Sequence, residues 1–77
     1  MKVYFENSNG ERRPISDEIE TYNEVVGVIN KFLDDHDFTS YYMRVWYDEE
    51  ENMTWFDVGS HTEFFLCDGN AMELDDD

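Results

Sequence analysis

The feature that most constrains this chain is its unbalanced charge. Asp and Glu number 20 against 5 Lys and Arg, so the 77 residues carry a formal net charge of −15. Like charges at this density repel one another and oppose a compact state. The chain nevertheless has apolar material for a core, because 40% of its residues are hydrophobic and 17% are aromatic. We therefore expect one small folded domain rather than a disordered acidic chain.

One amphipathic helix is predicted between residues 22 and 35. Thr21 and Glu24 have the spacing of a capping box, which favours a helix that begins at residue 22. Apolar residues then recur at the spacing of one helix face, at Tyr22, Val25, Val26, Ile29, Phe32 and Leu33. Gly27 falls on the opposite side, where it lowers helix propensity and suggests a close approach to another element.

Four segments have the aromatic and β-branched pattern of strands. They are residues 2–6, 41–47, 53–58 and 62–67. The segment 11–20 contains the one proline and is expected to be irregular, with one turn of helix at most. The order β-α-β-β-β predicts an α+β fold, in which one helix packs on one face of an antiparallel sheet. We expect a single domain over residues 1–72 and a frayed acidic tail over 73–77.

The second face of the predicted sheet should be open, because one helix covers only one face. Alternation along the strands over 41–47 and 53–58 places four aromatic and charged residues together there: Arg44, Trp46, Trp55 and Asp57. Exposed tryptophans beside charge are typical of protein interfaces. The alternative is that these rings pack against each other or beneath the tail.

Patterns for catalysis and metal binding are weak. Asp57, Ser60 and His61 could approach one another across a turn, but no nucleophile-elbow or oxyanion-hole pattern surrounds them. Cys67 lacks the electropositive setting of a reactive thiol, and one cysteine cannot build a structural zinc site. Neither acidic loop matches the calcium-binding pattern. We therefore expect no enzymatic activity, no cofactor and no functional metal site.

The acidic residues fall into four clusters, which carry the expected chemistry. The first surrounds the start of the helix, where carboxylates interact favourably with the helix dipole, and the last is the tail. The second is named the helix-exit cluster and consists of Asp34, Asp35 and Asp37. The third is named the hairpin-tip cluster and consists of Glu49, Glu50 and Glu51. Only the helix-exit cluster faces the negative end of the dipole, so folding alone does not explain it.

Three segments carry a resemblance to known proteins: MKVYFENSNGE at the start, FLDDHDFTSYYMRVW in the middle and DVGSHTEFF near the end. Over most of residues 1–66 the chain resembles a family of short proteins encoded by phages and prophages of Gram-positive bacteria. Its size, charge and helix-plus-sheet order also resemble the small acidic anti-CRISPR proteins, which occupy the nucleic-acid-binding surface of a CRISPR nuclease. The resemblance implies a phage-encoded protein that acts on a host protein.

The leading hypothesis combines this resemblance with the charge. An excess of carboxylates excludes nucleic acid as a direct ligand and favours a basic protein partner. We expect an inhibitor that occupies the basic DNA- or RNA-binding surface of a host protein through the helix-exit and hairpin-tip clusters, with Trp46 and Trp55. No signal peptide or membrane span is recognisable, so host cytoplasm is expected. The alternative is a phage assembly module that pairs with itself or a neighbour through its aromatic sheet face. We expect the chain to be a monomer or a homodimer. Solubility alone would also account for the acidity.

Overall fold

The architecture of this chain is a five-stranded antiparallel sheet with one helix on one face. The computed structural model describes residues 1–17, 19–38, 42–60 and 62–74. The elements are β1 (Val3–Glu6), β2 (Arg12–Ser16), α1 (Tyr22–Asp35), β3 (Arg44–Asp48), β4 (Met53–Asp57), β5 (Phe64–Asp68) and a 3₁₀ helix (Ala71–Glu73). The spatial order of the strands is β2-β1-β5-β4-β3, with every neighbouring pair antiparallel. The predicted α+β class is confirmed, as is one helix packed on an antiparallel sheet.

An additional strand, β2, lies where the sequence indicated irregular structure, so the prediction for residues 11–20 is wrong in part. The side-chain oxygen of Asn7 accepts two backbone hydrogen bonds within the preceding turn, at 2.9 and 3.0 Å. Gly10 supplies the positive φ of 82° in that turn. Pro14 has no N–H to donate, but β2 is an edge strand and tolerates the loss. The single proline therefore marks a sheet edge rather than a loop.

Helix α1 begins and ends at the predicted residues, Tyr22 and Asp35. The hydroxyl of Thr21 accepts a hydrogen bond from the N–H of Glu24 at 3.2 Å, which satisfies one otherwise unpaired donor at the helix start. The Glu24 carboxylate accepts from the N–H of Glu20 at 3.4 Å. The capping interaction that the sequence predicted therefore forms, although the carboxylate bonds one residue before the N-cap.

The core lies between α1 and the face of the sheet that we call the inner face. Val25, Ile29 and Leu33 recur every four residues and are the buried residues of the helix. They pack with buried residues from the strands and the chain ends: Val3, Ile19, Phe56, Val58, Phe65, Cys67 and Ala71. Burial of each large apolar side chain stabilises the fold by about 1.5–3 kcal/mol. Their sum is what holds a chain of this charge together.

The strand bounds lie within three residues of the predicted ones, and the described chain ends in a short 3₁₀ helix. Asn70 caps the 3₁₀ helix by accepting a hydrogen bond from the N–H of Met72 at 3.1 Å, and Leu74 packs against the core. The described chain is thus packed as far as Leu74, and the frayed tail over 73–77 stays a prediction. Residues 75–77, Tyr41 and His61, on which parts of the predictions fall, lie outside the described residues.

Gly27 does not mark a close approach, so that expectation is wrong. A Cβ atom added at this position would meet no atom within 4 Å. Glycine loses more backbone entropy in a helix than alanine does. Gly27 therefore lowers the stability of α1 without a packing reason in the described part of the chain.

We expect Gly27→Ala to raise the free energy of unfolding by about 0.5–1 kcal/mol, because alanine is the stronger helix former. Urea unfolding followed by circular dichroism measures the change. Gly10→Ala is the matched control: its Cβ would also meet no atom within 4 Å, but its φ of +82° disfavours any side chain. That control should lower the free energy of unfolding by about 1–2 kcal/mol. Destabilisation by Gly27→Ala would contradict an open helix face at this position.

Candidate functional site

The face of the sheet opposite α1, which we call the outer face, combines a tryptophan pair with an ion pair. The register of β3 and β4 places Arg44 opposite Asp57 and Trp46 opposite Trp55. The two indole rings are almost parallel, at 3°, with their centroids 6.1 Å apart. Arg44 Nη2 donates to Asp57 Oδ2 at 2.8 Å. The predicted placement of these four residues on one face is confirmed, and the rings do pack against each other.

Less of the outer face is open than the sequence suggested. Trp46 is 42% exposed and Arg44 is exposed, whereas Trp55 is half-buried and Asp57 is buried. Asp57 lies on this face beneath the guanidinium of Arg44. The hydrogen bond that Arg44 donates to Asp57 raises the pKa of Arg44 above the ordinary value of an arginine. Asp57 also accepts a hydrogen bond from the N–H of Gly59 at 3.0 Å. The exposed part of this surface is therefore centred on Trp46.

Arg12 covers the other half of the outer face. Its guanidinium carbon lies 5.4 Å from the centroid of the Trp55 ring. Its Nε donates to Glu6 Oε1 at 2.9 Å, and its Nη2 pairs with Glu51 Oε2 at 3.0 Å. The hydrogen bond to Glu6, with a further contribution from Glu51, raises the pKa of Arg12. A twisted sheet brings diagonally opposite corners toward the same face, which lets β2 and the β3–β4 turn share this contact.

A small apolar cluster lies beneath Arg12, separate from the main core. Leu66 is opposite Trp55 in the sheet register and is fully buried. The ring of Phe64 meets the Trp55 ring edge-on, with centroids 5.6 Å apart. The indole Nε1 of Trp55 is buried and has no hydrogen-bond partner in the described part of the chain. Trp55 is thus mainly a structural residue, and sequence alone could not show this because β2 and Arg12 were not placed.

The helix-exit cluster lies on exposed backbone, and part of it has a structural role. The N–H of Phe38 donates to the carbonyl of Leu33 at 2.9 Å, and the N–H of Asp37 donates to the carbonyl of Asp34 at 3.2 Å. These two bonds form a Schellman motif, which requires a left-handed residue after the helix. Asp37 is that residue, with a φ of 54°. Aspartate adopts this conformation more readily than most residues, so the backbone explains Asp37 in part.

The other two members of the helix-exit cluster differ in their contacts. Asp35 Oδ2 accepts from Lys31 Nζ at 3.3 Å, in an exposed pair one helical turn apart. The carboxylate of Asp34 has no hydrogen bond or ion pair within the described residues. Exposed pairs of this kind stabilise a helix by only about 0.3–0.5 kcal/mol. Asp34 is therefore the member for which the fold gives the least reason.

The hairpin-tip cluster divides in the same way. Asp48 Oδ1 accepts hydrogen bonds from the N–H groups of Glu50 and Glu51, at 3.0 and 3.4 Å, and so shapes the turn between β3 and β4. The Glu51 side chain is engaged with Arg12. Glu49 and Glu50 are exposed, and their carboxylates have no ion pair in the described part of the chain. Two of the three predicted glutamates are thus available to a partner.

The predicted site residues do not form one continuous surface. Leu33 and His36, at the end of α1, line a cleft of about 240 Å³ together with Val58, which follows β4. The hairpin tip instead precedes Met53, the first residue of β4. The helix-exit and hairpin-tip clusters therefore lie at opposite ends of β4. A partner that touched both would span much of a molecule whose longest dimension is 29 Å.

The basic residues leave the acidic surface largely uncompensated. Three of the five cationic side chains, Arg12, Lys31 and Arg44, already form ion pairs with carboxylates. Asp57 is the one acidic side chain that is buried among the described residues. The remaining described carboxylates lie at or near the surface. The site can therefore attract and bind cationic groups, which is its main chemical capability.

Nucleophilic chemistry at Cys67 is disfavoured. The side chain is fully buried, and this burial raises the pKa of its thiol to about 11, with a further contribution from the charge of Asp68. The thiolate is the reactive form and is scarce at neutral pH under these conditions. Within the described ranges, no three His, Cys, Asp or Glu side chains are placed to bind a metal ion. No helix in those ranges has the length and apolar content needed to cross a bilayer.

Comparisons with protein-family models, curated protein sequences and solved structures gave no match for this chain. The resemblance to phage proteins therefore stays a prediction. Function is inferred from the chain's own residues, their contacts and their charge.

We expect Cys67 to make stability fall at alkaline pH. Its folded pKa of about 11 exceeds the value of about 9 of a free thiol, so the native thiol keeps a proton that the unfolded thiol loses. The contribution of this pKa difference to the free energy of unfolding is fully present below about pH 9 and is lost as the pH rises toward 11. Urea unfolding gives the free energy of unfolding at pH 8 and at pH 10.5. Its decrease from pH 8 to pH 10.5 should be larger by about 1–2 kcal/mol in the natural chain than in Cys67→Ala. Equal losses in the two proteins would contradict this account.

Proposed function

We propose that this chain is an inhibitory binding protein that acts as an acidic mimic of nucleic acid. It presents exposed carboxylates to the basic DNA- or RNA-binding surface of another protein. The observation that carries the proposal is that, within the helix-exit and hairpin-tip clusters, the carboxylates of Asp34, Glu49 and Glu50 neither pair with internal cations nor shape the backbone among the described residues. Charged groups that serve no internal contact are better explained by an external partner of opposite charge.

The density of charge supports mimicry of a duplex. Double-stranded DNA carries one charge per about 1.7 Å of its axis, so 15 charges correspond to about 25 Å of duplex. The longest dimension of the protein is 29 Å. The net charge per unit length of this chain is therefore similar to that of duplex DNA. The same field disfavours direct binding of nucleic acid by this chain.

The resemblance to phage proteins supports a host protein as the target. A CRISPR nuclease, a restriction enzyme or a transcription or replication factor of the host has the required basic surface. Binding to any of these should be fast, because long-range attraction steers the two proteins together. It should also weaken with salt, since attraction beyond roughly 8–10 Å is screened at physiological ionic strength.

We expect the paired substitutions Asp34→Asn with Asp35→Asn, or Glu49→Gln with Glu50→Gln, to weaken partner binding by about tenfold, because each removes two exposed charges. The partner is isolated by capture from a bacterial host lysate at 50 mM NaCl and released at 500 mM. The affinity of this chain for the partner is then measured by titration calorimetry. Displacement of this chain from the partner by duplex DNA and by RNA is tested.

A matched control is the pair Glu11→Gln with Asp17→Asn. It removes the same charge from exposed positions outside both clusters. This control should change the affinity by less than about threefold, which reflects only the loss of long-range attraction. Unchanged affinity in both cluster variants would rule out the proposed mimicry, as would a complex that neither duplex DNA nor RNA displaces. Glu51 is left intact because its substitution would also release Arg12.

A further inference from the structure

Strand β3 is an edge of the sheet whose charged residues, Arg44 and Asp48, stand at its two ends. It pairs with β4 on one side and has no strand on its other side in the described part of the chain. The opposite edge, β2, carries Arg12, Arg13 and Pro14, and consecutive charges with a proline oppose the pairing of another strand. The middle of β3, residues 45–47, is uncharged. The two edges of this sheet are therefore not equivalent.

The residues of β3 are complementary to an inverted copy of the same strand. Arg44, Trp46 and Asp48 alternate along the strand and share the outer face. Turning the strand end for end exchanges the positions of Arg44 and Asp48 and leaves Trp46 at the centre. An antiparallel second copy would thus place an arginine opposite an aspartate at both ends. This charge complementarity identifies another copy of the chain as the fitting partner.

We propose that two copies of this chain pair in antiparallel fashion through β3, with Trp46 of one copy directly opposite Trp46 of the other. Arg44 of each copy then faces Asp48 of its partner on the outer face, and Val45 faces Tyr47 on the inner face. The two five-stranded sheets become one continuous sheet. The stacked pair of Trp46 and Trp55 in each copy becomes part of a longer aromatic row.

The charged groups at both ends of β3 can form these contacts without giving up their internal ones. The side chain of Arg44 is 68% exposed; its Nη2 donates to Asp57, and its guanidinium carbon lies 5.2 Å from the centroid of the Tyr42 ring. A guanidinium has five N–H donors, so others remain for a second carboxylate. Asp48 uses its Oδ1 for the turn, and its Oδ2 has no partner within the described residues. The interface is thus compatible with the fold of each copy.

Salt should strengthen this dimer. Each copy carries a net charge of −15, so two copies repel one another over distances beyond the interface. Added salt screens that repulsion, whereas the directly opposed Arg44 and Asp48 are close enough to be screened less. A five-residue edge gives a small interface, and we expect a dissociation constant between about 1 µM and 1 mM. The salt response is opposite to that of the proposed inhibitory complex, so the two proposals can fail independently.

The test is sedimentation velocity over 5 µM to 1 mM protein in 50 and 500 mM NaCl. The natural chain should shift from monomer to dimer, and the dimer should be favoured at 500 mM. Trp46→Glu places two like charges opposite each other and should weaken dimerisation at least about tenfold. Met72→Glu is the matched control, because Met72 is similarly exposed, at 49%, and lies outside β3. That control should dimerise like the natural chain.

Two further measurements distinguish strand pairing from any other contact near Trp46. Trp46→Cys should form an intermolecular disulfide under mild oxidation, because directly opposite Cβ atoms lie about 4.5–5.5 Å apart, whereas Met72→Cys should not. The buried Cys67 does not compete. Amide hydrogen exchange in β3 should be slower in the natural dimer than in Trp46→Glu. A chain that stays monomeric to 1 mM at 500 mM NaCl, or a dimer indifferent to Trp46→Glu, would overturn the proposal.

Discussion

The packing of α1 against the inner face of the sheet is the interaction on which the rest of this structure depends. Val25, Ile29 and Leu33 meet Phe56 and Phe65 in a buried layer that contains no charged side chain from the described residues. Because the chain is short, this single layer must offset both the conformational entropy of folding and the repulsion among its carboxylates. The carboxylates are consequently confined to the surface, where their positions are set by turns, helix ends and strand alternation.

Local signals in the sequence were sufficient for the helix and for the faces of the β3–β4 hairpin. Periodicity and the Thr21 cap define α1, and simple alternation places Trp46 and Trp55 together. Non-local contacts were not accessible in the same way. The sequence did not predict β2 because a proline usually indicates a loop, whereas Pro14 lies in an edge strand. The contact of Arg12 with Trp55 depends on β2 and on the twist of the sheet.

The sequence did not reveal how the predicted site residues are organised in space. The helix-exit and hairpin-tip clusters lie at opposite ends of β4, and each contains one carboxylate with a clear internal role, Asp37 in the helix C-cap and Glu51 in the pair with Arg12. Such roles depend on a left-handed backbone and on a tertiary ion pair, neither of which sequence spacing reveals. Of the exposed remainder, Glu49 and Glu50 directly follow Asp48, the last residue of β3, so pairing through β3 would bring the hairpin tip close to the second copy.

We propose that the excess of carboxylates opposes folding and is retained for a partner. The test is urea unfolding of the free chain in 20 and in 500 mM NaCl, at a concentration at which sedimentation velocity shows the chain to be monomeric in both. If repulsion among the carboxylates dominates, screening by 500 mM NaCl should raise the free energy of unfolding by about 1–2 kcal/mol. Asp34→Asn should raise the free energy of unfolding at 20 mM NaCl and much less at 500 mM NaCl. A free energy of unfolding that is unchanged or lower at 500 mM NaCl would contradict the account, because the carboxylates would then contribute to the fold itself.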